Sequence, residues 1–220
     1  MYFASRVQAG RLLAAQIAEK YRYENCAVLA LSDGGVMVGA QIALQLHCVL
    51  TLLESAEILL PREPLPVAGI TGSGTVAYNH SYSDGEIDEL VGENYSLIEQ
   101  EKLLRMRDLN SLVGAGGTIN RDLLRGHNII VVSDGLRTGF LVDLAVEFLK
   151  PIEREKLIVA VPFASVSAVD RMHVLADDLY CLSVIDSYID TDHYYDKHDV
   201  PDHATVLKTK IGRASCRERV

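Results

Sequence analysis

The sequence has no long hydrophobic run. No stretch approaches the roughly 18 apolar residues that a membrane-spanning helix needs, so a soluble protein is expected, with no membrane partner. Met1 is not followed by a basic segment and an apolar core, and a secretory leader is not expected either. Cysteine is scarce: Cys26, Cys48, Cys181 and Cys216 show no paired spacing. That argues against a metal knuckle or a disulfide framework and predicts reduced thiols in a cytoplasmic protein. Cations are outnumbered, 21 Lys and Arg against 30 Asp and Glu, for a net charge of −9. Nucleic-acid binding needs clustered Lys and Arg to neutralise phosphates, so no nucleic-acid partner is expected. Repeats and low-complexity segments are missing too. What is present is core-forming material: 49% of the 220 residues are hydrophobic, enough for one α/β domain or two small ones.

The last ten residues, IGRASCRERV, carry Arg213, Arg217 and Arg219 in a chain otherwise rich in acid. They read as an in-frame translation of a common sequencing adapter. Residues 211–220 are therefore set aside as a non-native tail, and residues 1–210 are taken as a single domain. Without the tail, 18 basic residues face 29 acidic ones, a net of −11.

Along the chain the periodicity alternates. Ser5–Tyr21 spaces Val7, Leu12, Leu13, Ile17 and Ala18 at helical intervals, with Ser5 placed to cap. Cys26–Leu31 is a continuous apolar run of the kind that buried parallel strands show. SDGG and a helix at VMVGAQIALQL follow, and CVLTLLES reads as the next strand, completing a βαβ unit. Pro61, Pro64 and Pro66 then break the pattern, and Glu86–Leu109 reads as one long helix. The α/β alternation resumes at HNIIVVSDG and continues through GFLVDLAVEFLK, KLIVAVPFAS, SAVDRMHVLADD and LYCLSVID. This order predicts an α/β fold with a mostly parallel sheet and helices on both faces. Asp177 and Asp178 are expected to end a helix, and Tyr78 and Tyr82 to pack.

Two strands end in Asp-Gly turns, LALSDGGV and IVVSDGLRTG, at the strand ends where open α/β sheets bind ligands. In the second, Gly135 and Gly139 let the backbone turn with its amides exposed, and a helix N-terminus follows. Such a loop cradles an anion. Asp134 fits beside a phosphate only if it meets hydroxyls, as a sugar phosphate provides. The simpler alternative is that Ser133 and Asp134 cap the helix and the glycines turn the chain.

VVSDGLRTGFLVDLAVEFL resembles the phosphoribosyl-diphosphate motif of the type I phosphoribosyltransferases: a strand, two acids, Gly, two residues, Thr-Gly and a helix. VLALSDGGVMVGAQIALQL resembles the family's pyrophosphate loop. SRVQAGRLLAAQI, VAVPFAS and YYDKHDVPDHATV are similar to its N-terminal helix, late strand and C-terminal segment, so the resemblance spans most of residues 3–207. It implies the type I phosphoribosyltransferase fold with a small hood at about residues 58–122, and a homodimer by family habit. It implies a sugar-phosphate substrate, with Asp134 on the ribose hydroxyls as the catalytic acid. The amides of Leu136, Arg137, Thr138, Gly139 and Phe140, with the Thr138 hydroxyl, would hold the 5-phosphate, flanked by Ser133 and Gly135. Ser32, Asp33, Gly34 and Gly35 would face the pyrophosphate, and Mg²⁺ would be bridged by substrate oxygens and water, with no metal site of the protein's own.

The chain departs from that pattern. Ser133 replaces the first acid, Phe140 a small residue and Leu141 a threonine. Asp33 stands where an arginine is usual, and Glu54 and Glu57 lie where an Arg-Lys pair normally follows the next strand. Cations are thus missing where pyrophosphate charge would develop. Arg137 is the one apparent compensation, able to clamp the monophosphate. Two functions follow: transfer of a phosphoribosyl group to an acceptor base, or an eroded relative that binds a ribose phosphate or nucleotide as a sensor. A hydrolase or phosphorylase-like use of the same pocket is a third. The acidic run DTDHYYDKHD is expected to be an ordinary surface turn.

Overall fold

The structure is a computed structural model and describes residues 2–113 and 121–206. The adapter-like tail, 211–220, and Cys216 with it, lie outside the described residues. In chain order the elements are α1 (Arg6–Tyr21), β1 (Cys26–Ala30), α2 (Asp33–Leu46), β2 (Val49–Leu52), β3 (Ser55–Ile58), β4 (Ala68–Thr71) and β5 (Val76–Tyr78). Then come α3 (Asp84–Glu93), α4 (Tyr95–Val113), β6 (Asn128–Val132), α5 (Phe140–Leu149), β7 (Lys156–Ser165), α6 (Val166–Leu175) and β8 (Asp178–Ile185).

The chain divides into two compact units. The first comprises residues 1–52, 120–139 and 152–220; the second comprises 53–119 and 140–151. The first is built on a five-stranded sheet of order β2-β1-β6-β7-β8, parallel throughout. This is the α/β class expected. The continuous apolar runs explain the centre: every residue of β1 and β6 is buried, as strands covered on both faces must be. Leu13, Ile17, Val38 and Ile42 of α1 and α2 pack on Val28, Ile130, Val132 and Ile158.

The buried stripe of α1 runs through Ala9, Gly10, Leu13, Ala14, Ile17 and Tyr21. Leu12, assigned to that stripe from the sequence, is exposed. A side chain on Gly10 would strike the backbone of Val38, so Gly10 is a point of close approach between α1 and α2 on the packed face. Arg6 falls on the same face and is buried with it.

The stretch CVLTLLES divides into β2 and β3, which belong to different sheets. In the second unit β3, β4 and β5 form an antiparallel sheet, with Ile58, Ala68, Ile70 and Leu109 in one cluster and Leu60, Val67 and Ile98 in another. The long helix expected over 86–109 is two, α3 and α4, broken at Asn94, which caps α3. Ser83 and Glu86 form a capping box at the start of α3. Asp177 and Asp178 do not end a helix. α6 stops at Leu175, Asp177 accepts the amide of Leu157 at 2.8 Å, and Asp178 opens β8. There Asp178 binds Lys20 at 2.7 Å and the Tyr21 hydroxyl, which together hold its carboxyl below the usual range.

Candidate functional site

The two Asp-Gly turns come together at the carboxyl ends of β1 and β6 because those strands are hydrogen-bonded neighbours, with Ala30 opposite Val132. The amide of Leu31 continues the ladder, donating to the Val132 carbonyl at 2.9 Å. Ser32 ends the first turn by capping α2, its Oγ accepting the Gly35 amide at 2.9 Å. The same hydroxyl donates to Asp134 Oδ1 at 2.8 Å, so one serine ties the two turns.

Asp134 is the hub. Its other oxygen, Oδ2, accepts from Arg6 Nε at 2.8 Å, and its backbone carbonyl accepts from the Tyr195 hydroxyl at 2.6 Å. Arg6 is 2% exposed, and its guanidinium lies 4.4 Å over the Tyr195 ring. Arg6 also donates to Asp192 and, at 3.4 Å, to Asp199. Burial alone would lower the Arg6 pKa, but Asp192 and Asp134 outweigh it and the net shift is upward, so the charge is fixed. In turn Arg6 holds the Asp192 carboxyl below its ordinary range. Gly34 has no side chain because there is no room for one: a Cβ would fall on the Asp134 carboxylate.

The acidic run is therefore only partly the surface turn expected. Asp192 and Asp199 close on Arg6, and Tyr194 and Tyr195 are buried with Phe3 and Phe163. No group of three His, Cys, Asp or Glu side chains among the described residues is arranged to hold a metal.

The second turn is built from both ends. Ser133 Oγ donates to the Gly135 carbonyl at 3.0 Å. A side chain on Gly135 would collide with the Phe163 ring and the Tyr188 hydroxyl. The Leu136 amide, assigned to phosphate from the sequence, is used inside the fold, donating to the Phe163 carbonyl at 3.2 Å. Ser165 caps α6 and donates to the Arg137 carbonyl at 2.7 Å, which holds that peptide in place. Among the described residues, no partner is found for the backbone N–H groups of Arg137, Thr138 and Gly139, and the Arg137 side chain is exposed. Gly139 lies against the stem of Arg171, leaving no space for a Cβ. The Phe140 ring is 2% exposed in the second unit, packed on Gly69, Ala77 and Leu144.

At the first turn Asp33 also has a partner. His203 Nδ1 lies 2.9 and 3.1 Å from its two oxygens, brought there by the segment that buries Val206 against Ala30, Val36 and Leu52. Glu57 is in the second unit, where burial pushes its carboxyl up.

Sequence reasoning missed Arg6, Tyr195, Arg171 and His203. For Arg6 the signal was present: it sits three, four, seven and eleven residues before Ala9, Gly10, Leu13 and Ile17, in phase with the buried stripe.

No family model matches the chain. It is 27% identical over 182 residues, 82% of its length, to a "Putative phosphoribosyl transferase" of Mycobacterium tuberculosis strain H37Rv, and equally to the counterpart in strain CDC 1551. The chain spans about 40% of the length of these relatives. A crystal structure of the protein TT1426 from Thermus thermophilus superposes with a TM-score of 0.71 at 24% identity, covering 94% of this chain and 98% of that one. The AQ2163 protein of Aquifex aeolicus gives 0.50 at 11% identity, over 92% and 84% of the two chains. Both likenesses are of fold.

Proposed function

We propose that this chain belongs to the type I phosphoribosyltransferase family, binds phosphoribosyl diphosphate or a related ribose 5-phosphate at the turn of residues 133–139 and transfers the phosphoribosyl group to an acceptor base. The observation that carries the reading is the run of backbone N–H groups at Arg137, Thr138 and Gly139 that have no partner among the described residues, beside an Arg137 carbonyl fixed by Ser165. Backbone donors fixed in this way bind a phosphate without reorganising. The exposed Arg137 guanidinium adds a cation beside them. The backbone amides of Asp33 and Gly34 would face the pyrophosphate, where the start of α2 supplies a positive dipole; the Gly35 amide and the Ser32 hydroxyl are engaged inside the fold. The segment at about residues 58–122 would serve as the hood that selects the acceptor.

Mg²⁺ fits this set only as an ion carried by the substrate. The nearby carboxylates are engaged, Asp134 by Arg6 and Ser32 and Asp33 by His203. When bound it would neutralise pyrophosphate charge, with ligands drawn from substrate oxygens and water.

A second reading has specific support. Ser133 and Asp33 remove, respectively, an acid and a cation from the places where transfer needs them, which favours a binder over a transferase. Calorimetric titration with phosphoribosyl diphosphate plus Mg²⁺ and, separately, ribose 5-phosphate separates the two. Tighter binding of the diphosphate, followed by product formation in a base screen, is expected of a transferase. Equal binding of the two ligands would assign the protein to sensing or scaffolding.

A further inference from the structure

We infer that this site selects a phosphomonoester without selecting a sugar cis-diol, so that ribose 5-phosphate and 2-deoxyribose 5-phosphate bind alike. The inference rests on the proposed phosphate cradle and concerns which part of the ligand it reads.

The turn has two halves, and they are in opposite states. On the phosphate half, the N–H groups of Arg137, Thr138 and Gly139 have no partner among the described residues. On the diol half, both positions that could offer an acid are turned inward. Ser133 carries no carboxylate, and its hydroxyl donates to the Gly135 carbonyl at 3.0 Å. Asp134 carries one, but each oxygen already accepts a hydrogen bond at 2.8 Å, from Arg6 Nε and from Ser32 Oγ.

Three further contacts fix that orientation. The Tyr195 hydroxyl holds the Asp134 carbonyl at 2.6 Å, so the backbone does not swing. Gly34 presses on the carboxylate from α2. The Asp134 side chain is 10% exposed and that of Arg6 2%. Turning Asp134 outward would strand a buried guanidinium from one of its partners, a loss that a pair of sugar hydroxyls does not restore. The carboxylate thus serves as an internal tie among α1, α2 and β6, and hydroxyl recognition is lost while phosphate recognition stays.

The test is calorimetric titration of the full chain with ribose 5-phosphate, 2-deoxyribose 5-phosphate and inorganic phosphate. The two sugar phosphates are expected to agree within about twofold. A hydroxyl received by an ionised carboxylate is worth about tenfold or more, so a preference of that size for ribose overturns the inference while leaving the phosphate cradle standing. If neither sugar phosphate binds, the cradle itself fails, and the inference fails with it. Asp134→Asn gives a second reading of the same ratio. Here it should change the affinities for the two sugar phosphates by the same factor, because the side chain acts through the fold. A loss confined to ribose 5-phosphate would place the carboxylate on the diol and overturn the inference. Because the readout is a ratio, partial destabilisation of the variant does not affect it.

Discussion

Arg6 Nε donates to Asp134 Oδ2 at 2.8 Å, joining residues 128 positions apart in the sequence. This bond connects the first turn of α1 to the turn after β6. Through Asp192 and Asp199 the same guanidinium also fastens the segment after β8. Replacing Arg6 by Met should therefore unfold more than it repacks. It leaves Asp134 buried without its cation, a loss of about 3 kcal/mol, or roughly 10 °C in Tm for a chain of this size. Arg6→Lys should recover little of this, because a point charge does not span three carboxylates as a planar fork does. Thermal denaturation followed by circular dichroism measures both variants. An Arg6→Met variant as stable as the wild type would mean the tie is not structural.

Acid should loosen the contacts at both ends of α1. The Asp192 carboxyl is held below its ordinary 3.8 chiefly by Arg6, and the Asp178 carboxyl chiefly by Lys20. Lower in the folded than in the unfolded state, these pKa values give stability that is present above about pH 4. It is lost as the pH falls through the folded values. Glu57 works the other way, since burial raises it and protonation relieves a strain in the folded state. Urea midpoints should fall from pH 5 to pH 3, and Asp192→Asn should flatten that slope. Both aspartates are partly exposed, so added salt should flatten it too.

Much of this is legible in the sequence alone. The run Cys26–Leu31 and the run Asn128–Val132 identify themselves as buried parallel strands, because nothing polar interrupts them. The two Asp-Gly turns mark the candidate site, since a strand that ends in small residues and begins a helix can leave backbone groups unpaired. The direction of Asp134 was not legible. A carboxylate after a strand can face a ligand or the core, and the choice is made by Arg6, Ser32 and Tyr195, which adjoin it only in the fold. Asp33 shows the same limit: its partner His203 is 170 positions away. The division of CVLTLLES into β2 and β3 was also hidden, since an apolar run carries no mark of where one sheet ends and another begins.

Two glycines give predictions of opposite sign. A methyl group on Gly34 would fall on the Asp134 carboxylate and 2.8 Å from Arg6 Nε, groups already fixed by burial and ion pairing. Gly34→Ala should cost about 2 kcal/mol or more. Gly92 lies in α3 with nothing within 4 Å of a new Cβ, so Gly92→Ala should stabilise by about 0.5–1 kcal/mol through helix propensity alone. Equilibrium unfolding of the pair provides its own control. Equal effects would mean that Gly34 is not a point of close approach.

The last prediction concerns charge at the first turn. Asp33 lies in the first turn of α2, where an acid suits the helix dipole but opposes an incoming pyrophosphate. Its side chain is 28% exposed, and His203 approaches both of its oxygens. Asp33→Asn keeps the shape and an acceptor for His203 while removing the negative charge. At an effective dielectric near 20, a carboxylate beside a pyrophosphate costs about 1 kcal/mol, so the variant should bind phosphoribosyl diphosphate about fivefold more tightly. Ribose 5-phosphate, which has no group at that turn, should bind as before. Asp33→Arg with Ser133→Asp should extend the gain for the diphosphate. Parallel changes for both ligands would mean that Asp33 acts on the general field of an acidic chain. A change for neither would place the pyrophosphate elsewhere.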